Sequence, residues 1–290
     1  MMQNKQTELR ILPADLMCEC KITGVPSDPS HFLHNHDGCE IFLLLEGDIN
    51  FYTEADGKRL KRGDLICMRS YDFHRGELLS PNLYSRITIN IRDGLLKSLS
   101  TEKTDLSSCF YYNSSKNLNI FRLKEEEIAR FTTHASFLEA TLNSYDFGSD
   151  ILADTYIKQI LVMINRLTVS QNIPNYSGIM PELVADTCAY IEDHLTGELS
   201  LQGLAGHLHH NGTYVSRCFK NIMGISLQQY IIAKRVVFAQ KLLREGHSPS
   251  DVCYMTGFNN YSNFSRTFSK QSDCSPKQYQ LKYKGLYSFS

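Results

Sequence analysis

The spacing of apolar residues changes twice along this chain. From about residue 16 to 92 they come in short Ile/Phe/Leu/Tyr runs, as in EIFLLLEGDINFYTEADGKRLKRGDLICM, broken by Glu-Gly-Asp, Asp-Gly and Arg-Gly-Asp. Short strands separated by turn signals every ten or so residues predict a β-sandwich or small barrel. Residues 93–120 are weakly patterned. From Lys124 the period becomes helical: EEEIARFTTHASFLEATLNS and DILADTYIKQILVMINRLTV space apolar residues by three and four. The polar stretch SQNIPNYSGIMP, with Pro174, Gly178 and Pro181, predicts a linker over 171–180. Everything after it reads as helix.

Within that helical third the chain repeats itself. A shift of 49 residues lays YVSRCFKNIMGISLQQY (214–230) on NFSRTFSKQSDCSPKQY (263–279). Six pairs are identical: Ser216/Ser265, Arg217/Arg266, Phe219/Phe268, Ser226/Ser275, Gln229/Gln278 and Tyr230/Tyr279. LQGLAGHL (201–208) matches PSDVCYMTGF (249–258) in pattern, shifted by one residue, so a helix–turn–helix unit occurs twice, over 201–222 and 249–271. In the first unit Leu201, Leu204, Ala205 and Leu208 form a stripe, Asn211 caps the next helix, and Val215, Cys218, Phe219 and Ile222 form its inner face. In the second, Gly257 supplies the turn, Asn259 or Asn260 caps, and Phe264 and Phe268 pack inward. The outward faces carry Thr213, Ser216, Arg217 and Lys220, then Tyr261, Ser262, Ser265 and Arg266. Small polar residues around an arginine suit a helix in a DNA major groove, where Arg takes guanine O6 and N7 together. Those eight are the candidate DNA-binding residues. Between the units, SLQQYIIAKRVVFAQKLLREG predicts a linking helix of about 18 residues, or about 27 Å.

Charge sharpens this picture. The chain nets −1, but from Leu201 onward eleven Lys/Arg face three Asp/Glu, a net of +8, against −9 for the first 200 residues. A basic third on an acidic body points to a polyanionic partner. The 290-residue length allows one large domain or two ordinary ones. The polar start MMQNKQTELR lacks a signal-peptide core, and no apolar run reaches membrane-spanning length. Nine scattered cysteines without a CxxC pair read as reduced thiols of a cytoplasmic protein. Cys18-Glu-Cys20 reads as strand packing before metal chelation.

Residues 181–284 resemble the AraC/XylS-type DNA-binding domain. The likeness lies in an alanine-bearing first helix, Y-V-S-R-C-F-K, G-I-S, a linking helix with Arg235, then G-F-x-x-x-S-x-F-S-R-x-F and S-P-x-x-Y. The resemblance implies promoter binding by the paired units, with contacts from Thr213, Ser216, Arg217, Lys220, Ser262, Ser265 and Arg266, and RNA polymerase as a partner. Two positions depart from the pattern: His209 and Asp273 stand where glycine is usual. Both residue types tolerate left-handed backbone, so the fold is expected to hold.

The N-terminal part reads His34-x-His36-x3-Glu40-x6-Gly47, then Gly63 to His74. This is similar to the two motifs of cupin barrels, which hold divalent metals with three histidines and a glutamate. The second motif lacks its Pro-x-Gly, reading Tyr71-Asp72-Phe73, and many AraC-type sensors keep such residues without a metal. His34, His36, Glu40 and His74 are therefore expected to converge on an effector pocket that is metal-free as purified, with no cofactor. The expected class is α+β and multi-domain. A cupin-like β-barrel sensor spans 1–92, a helical dimerisation region 93–170, and an all-α domain of two helix–turn–helix units 181–284. The expected function is an effector-responsive, homodimeric, cytoplasmic transcription regulator, an activator and not an enzyme. A metal-dependent cupin enzyme with a helical appendage and a DNA-bending architectural protein are the alternatives.

Overall fold

A computed structural model describes residues 15–23, 33–80, 84–112, 118–170 and 177–283. The chain folds as two units, Met1–Ile179 and Met180–Ser290. Residues 171–176 of the expected linker lie outside the described residues. Its last turn is anchored to the first unit, since the Ile179 N–H donates to the Gly57 carbonyl at 2.9 Å.

The first unit has three layers. Strands β1 (Leu16–Thr23), β7 (Tyr84–Ile91), β2 (Cys39–Glu46), β5 (Asp64–Met68) and β8 (Asn119–Arg122) form a five-stranded sheet in that order. Strands β4 (Gly57–Leu60), β3 (Ile49–Thr53) and β6 (His74–Leu78) form a second sheet. The two sheets share a core of Phe42, Leu44, Ile66 and Ile120 with Ile49, Phe51 and Leu60. A sandwich of two open sheets thus replaces the expected closed barrel. Strand β8 lies in the weakly patterned stretch assigned to the helical region; four residues are too few to show a period, and pairing with β5 fixes them. Helix α1 (Asp93–Leu99) and a 3-10 turn at Ser108–Phe110 fall in the same stretch.

Helices α2 (Glu125–Leu142) and α3 (Ser149–Ser170) cover the other face of the large sheet. There Ile128, Phe131 and Leu138 join Ile157, Ile160 and Ile164 over Ile41, Leu43, Ile87 and Ile89. Cys18 and Cys20 lie against this core; the Cys18 thiol donates to the Ala135 carbonyl at 3.4 Å, which is a packing role.

The second unit is all helix: α4 (Glu182–Asp193), α5 (Leu201–His207), α6 (Gly212–Met223), α7 (Leu227–Arg244), α8 (Pro249–Met255), α9 (Tyr261–Ser272) and α10 (Pro276–Tyr283). Its boundaries follow local chemistry. Ser200 accepts from the Gly203 N–H, Asn211 from Thr213 and Tyr214, Ser248 from Asp251, and Asn260 from Asn263. His209 (φ 53°) and Asp273 (φ 52°) adopt the left-handed backbone expected of them, as do Gly224 and Gly257. Two core assignments shift. Leu201 is 45% exposed because it opens α5, and Met223 replaces Ile222 inside because Val215, Phe219 and Met223 follow one i, i+4 row.

Candidate functional site

The repeat separates structural identities from the rest. Phe219 and Phe268 are 0% exposed, and Tyr230 and Tyr279 lie under them at ring distances of 5.2 and 5.4 Å. Ser226 with Gln229, and Ser275 with Gln278, form matching capping boxes: each glutamine amide oxygen takes the serine N–H at 2.9 Å and each serine hydroxyl takes the glutamine N–H at 3.3 Å. Four of the six identities are thereby accounted for by folding alone. The remaining two, Ser216/Ser265 and Arg217/Arg266, lie on outer faces of α6 and α9; both arginines are exposed and both serines half-buried. Thr213, Lys220, Tyr261 and Ser262 are exposed beside them. Arg217 rests its guanidinium 5.7 Å from the Tyr214 ring centroid, and Arg266 donates to the Asn263 side chain at 3.4 Å.

Helix α7 connects the two helix–turn–helix repeats within the second unit and is braced from within. Arg235 donates through Nε to the Leu195 carbonyl at 2.9 Å and through Nη2 to the Gly197 carbonyl at 2.8 Å. Lys234 forms an ion pair with Glu192 at 2.5 Å.

In the first unit a cavity of about 530 Å³ opens between the sheets. Phe42, Ile49, Phe51 and Tyr84 give it apolar walls, and His34, His36, Glu40 and His74 all line it. His34 and His74 pair backbone to backbone at 3.0 and 2.9 Å, with ring centroids 4.4 Å apart. The four predicted residues are thus brought together. Tyr71 makes the turn that Pro-x-Gly would otherwise supply: its φ is 66° and its N–H donates to the His36 carbonyl at 3.0 Å. Glu40 is buried and forms an ion pair with His36. Burial alone raises the Glu40 carboxyl, but the His36 bond and the other imidazoles outweigh it and hold the group below its ordinary value. Burial works to lower His36 as well, and Glu40 reverses the sign and raises it. His74 is pushed down to about 4, chiefly by burial, so its ring is neutral near pH 7.

Sequence reasoning missed Arg86, Thr88 and Asn90. They alternate along β7 with Ile87 and Ile89, and they line the same cavity. Arg86 is buried, donates to the Thr88 hydroxyl at 3.3 Å and lies 5.2 Å from the Tyr84 ring centroid. The signal was present in RITIN, but an alternating strand ordinarily turns its polar side to water.

Residues 204–282 match the family model described as a helix-turn-helix domain. Over 252 residues the chain is 25% identical to the HTH-type transcriptional activator RhaS of Enterobacter sp., covering 84% of this chain and 86% of that one. The family match places a helix-turn-helix domain in the second unit. An uncharacterized HTH-type transcriptional regulator of Staphylococcus aureus is 22% identical over 84% of this chain, which spans only 31% of that longer relative. Among solved structures the chain is similar to ToxT from Vibrio cholerae, at 16% identity and a TM-score of 0.39, over 95% of this chain and 100% of that one.

The turn of the second helix–turn–helix unit gives a direct test. Gly257 has φ 79°, and a Cβ there would lie 2.9 Å from the Thr196 carbonyl oxygen and 3.0 Å from the Arg235 guanidinium. Gly257→Ala is expected to lose roughly 1–2 kcal/mol to the left-handed backbone alone, and to loosen the Arg235 brace. Urea unfolding checks this; an unchanged midpoint would show that the turn relaxes freely.

Proposed function

We propose that this chain is a sequence-specific DNA-binding transcription regulator that reads promoter DNA with α6 and α9 and senses a small-molecule effector in the cavity of its first unit. The observation that carries this reading is the pair of duplicated outward residues, Ser216/Ser265 and Arg217/Arg266, which neither caps nor core require. A net charge of +8 from Leu201 onward favours the same partner. In this reading Thr213 and Lys220, with Tyr261 and Ser262, contact bases or phosphates around the two arginines. Linking helix α7 has 18 residues and so measures about 27 Å, near the roughly 34 Å repeat of the groove. Contact with RNA polymerase belongs to the reading as activator, which the name of RhaS supports. No catalytic role is assigned.

Homodimerisation through α2 and α3 is part of the proposal. Their inner faces seat on the sheet, while Phe137 is 51% and Ile151 67% exposed on the outside. The cupin-like description of the sandwich rests on the His/Glu set alone. Among the described residues no helix is long and apolar enough to cross a membrane, and a cytoplasmic location is the reading adopted.

Deleting the first unit tests the whole arrangement. A fragment beginning at Met180 is expected to fold as a monomer and to protect the same operator as the full chain, but more weakly, because the second copy is lost. Footprinting with sedimentation reads both. A fragment that binds as tightly as the intact chain would remove the dimer from the proposal; an insoluble one would misplace the boundary.

A further inference from the structure

Three hydrogen-bond acceptors converge in the N-terminal cavity, and among the described residues two of them receive no hydrogen bond. His74 is the first. Its Nδ1 lies 2.9 Å from the Asp72 carbonyl oxygen. A carbonyl only accepts, so Nδ1 carries the proton and Nε2 presents a lone pair. That Nε2 atom is buried without a partner and stands 3.8 Å from the Glu40 carboxylate. Glu40 is the second acceptor. His36 serves one side of its carboxylate, which has about four lone-pair sites to fill. Asn90 is the third. The register of β2 on β7 sets it directly across from Glu40, and its Oδ1 is buried without a partner. Residues so opposed share a sheet face, with Cβ atoms about 4.5–5.5 Å apart.

The number of protons decides what suits such a site. A hydroxyl group brings one and serves one acceptor; a primary ammonium brings three and serves all three. The spacing allows it. A nitrogen about 2.8 Å from both the Glu40 oxygen and His74 Nε2, the length of a charge-assisted bond, sees the two at about 85° across their 3.8 Å separation. A small parting of the two side chains opens that angle toward the tetrahedral one. The walls suit an organic cation. Phe51 stacks on His74 at 5.9 Å and 8°, and Phe42 meets Phe51 at 5.5 Å. Aromatic faces attract a cation within about 6 Å, and Ile49 and Tyr84 add apolar surface for a carbon tail. Arg86 lines the same cavity four residues along β7 from Asn90, about 13 Å away at the rise of a strand, so its backbone position is well removed from the three acceptors.

We infer that this cavity binds a primary amine with a compact apolar tail, the ammonium donating to Glu40, to His74 Nε2 and to Asn90 Oδ1. The inference rests on the effector-sensing reading of the cavity and gives that effector a chemical class. Quaternary ammonium ions lack the three protons, and carboxylates bring a further acceptor, so the site rejects both.

The test is calorimetric titration and thermal melting of the full chain in phosphate buffer with EDTA. The probes are n-butylamine and phenethylamine, set against 1-butanol, 2-phenylethanol, trimethyl(phenethyl)ammonium and 3-phenylpropanoate. Expected is one amine bound per chain, at least tenfold tighter than its counterparts, with a raised midpoint. Glu40→Gln, which keeps the shape, should weaken the amine at least tenfold, and Asn90→Val at least threefold, from the loss of one charged and one neutral acceptor. Should either variant fail to fold, the ranking of probes on the unaltered chain decides alone. No binding of either amine at about 10 mM overturns the inference, as does an alcohol that binds as tightly or undiminished binding in both variants. Operator protection by the same ligand-free sample separates the two readings. A chain that protects its operator yet binds no amine loses this site and keeps its function as a regulator; one that binds the amine and protects no operator keeps the site and loses the regulator.

Discussion

Phe268→Ala is expected to destabilise the second unit by about 3–5 kcal/mol, as large-to-small changes at fully buried aromatic positions do. Phe268 is wholly buried in a cluster with Phe264, Val252 and Tyr279. Its ring meets Tyr279 edge-on at 5.4 Å and 84°, and Tyr279 in turn accepts from Arg244 at 2.8 Å. Removing the ring opens a cavity at the joint of α7, α9 and α10. A domain of this size holds only about 5–15 kcal/mol in reserve, so the loss consumes much of it. The chain has no tryptophan, and helical circular dichroism of the Met180 fragment in urea is the suitable readout. Phe268→Leu should recover more than half of the loss. If Phe268→Ala unfolds at the wild-type urea concentration, the packing described for the second unit is wrong. DNA binding by the folded fraction should be unchanged, which distinguishes this variant from the next.

The double variant Arg217→Ala, Arg266→Ala should fold normally and lose about 2–6 kcal/mol of specific binding, from about 1–3 kcal/mol at each arginine. Both side chains are exposed, and neither makes a buried contact whose loss would unfold the helix. Each single change should relax base preference in its own half of the footprint while leaving the other half intact. Affinity should also become less sensitive to salt, since two cationic contacts are gone. Quantitative footprinting at two salt concentrations measures both effects. Wild-type protection by the double variant would remove α6 and α9 from the interface.

The two halves of the chain were unequally legible. The second unit declares itself because its caps, turns and core positions recur at fixed spacing, so Asn211, Gly257, Phe264 and Phe268 can be placed from the repeat alone. Even His209 and Asp273, which break the glycine pattern, point to left-handed backbone. The His34, His36, Glu40 and His74 set was also visible, because two residues apart on an extended chain share a face and the motif spacing joins the rest. Strand β8 was hidden by its length, and the open sandwich by the fact that closure depends on pairing between distant segments. Arg86, Thr88 and Asn90 were hidden for a different reason. Alternation tells which side of a strand a residue faces and says nothing about whether that side meets solvent or an internal cavity.

Strand β7 therefore stands as a partition one strand thick between two environments. Ile87, Ile89 and Ile91 face the close-packed core beneath α2 and α3, while Arg86, Thr88 and Asn90 face the chamber. Packed cores compress little, and among the described residues the strand itself supplies both the core side chains and the cavity lining. Any occupant that draws β7 toward itself must shift the seat of those helices by a matching amount, so the wall of the chamber is also the floor of the helical layer.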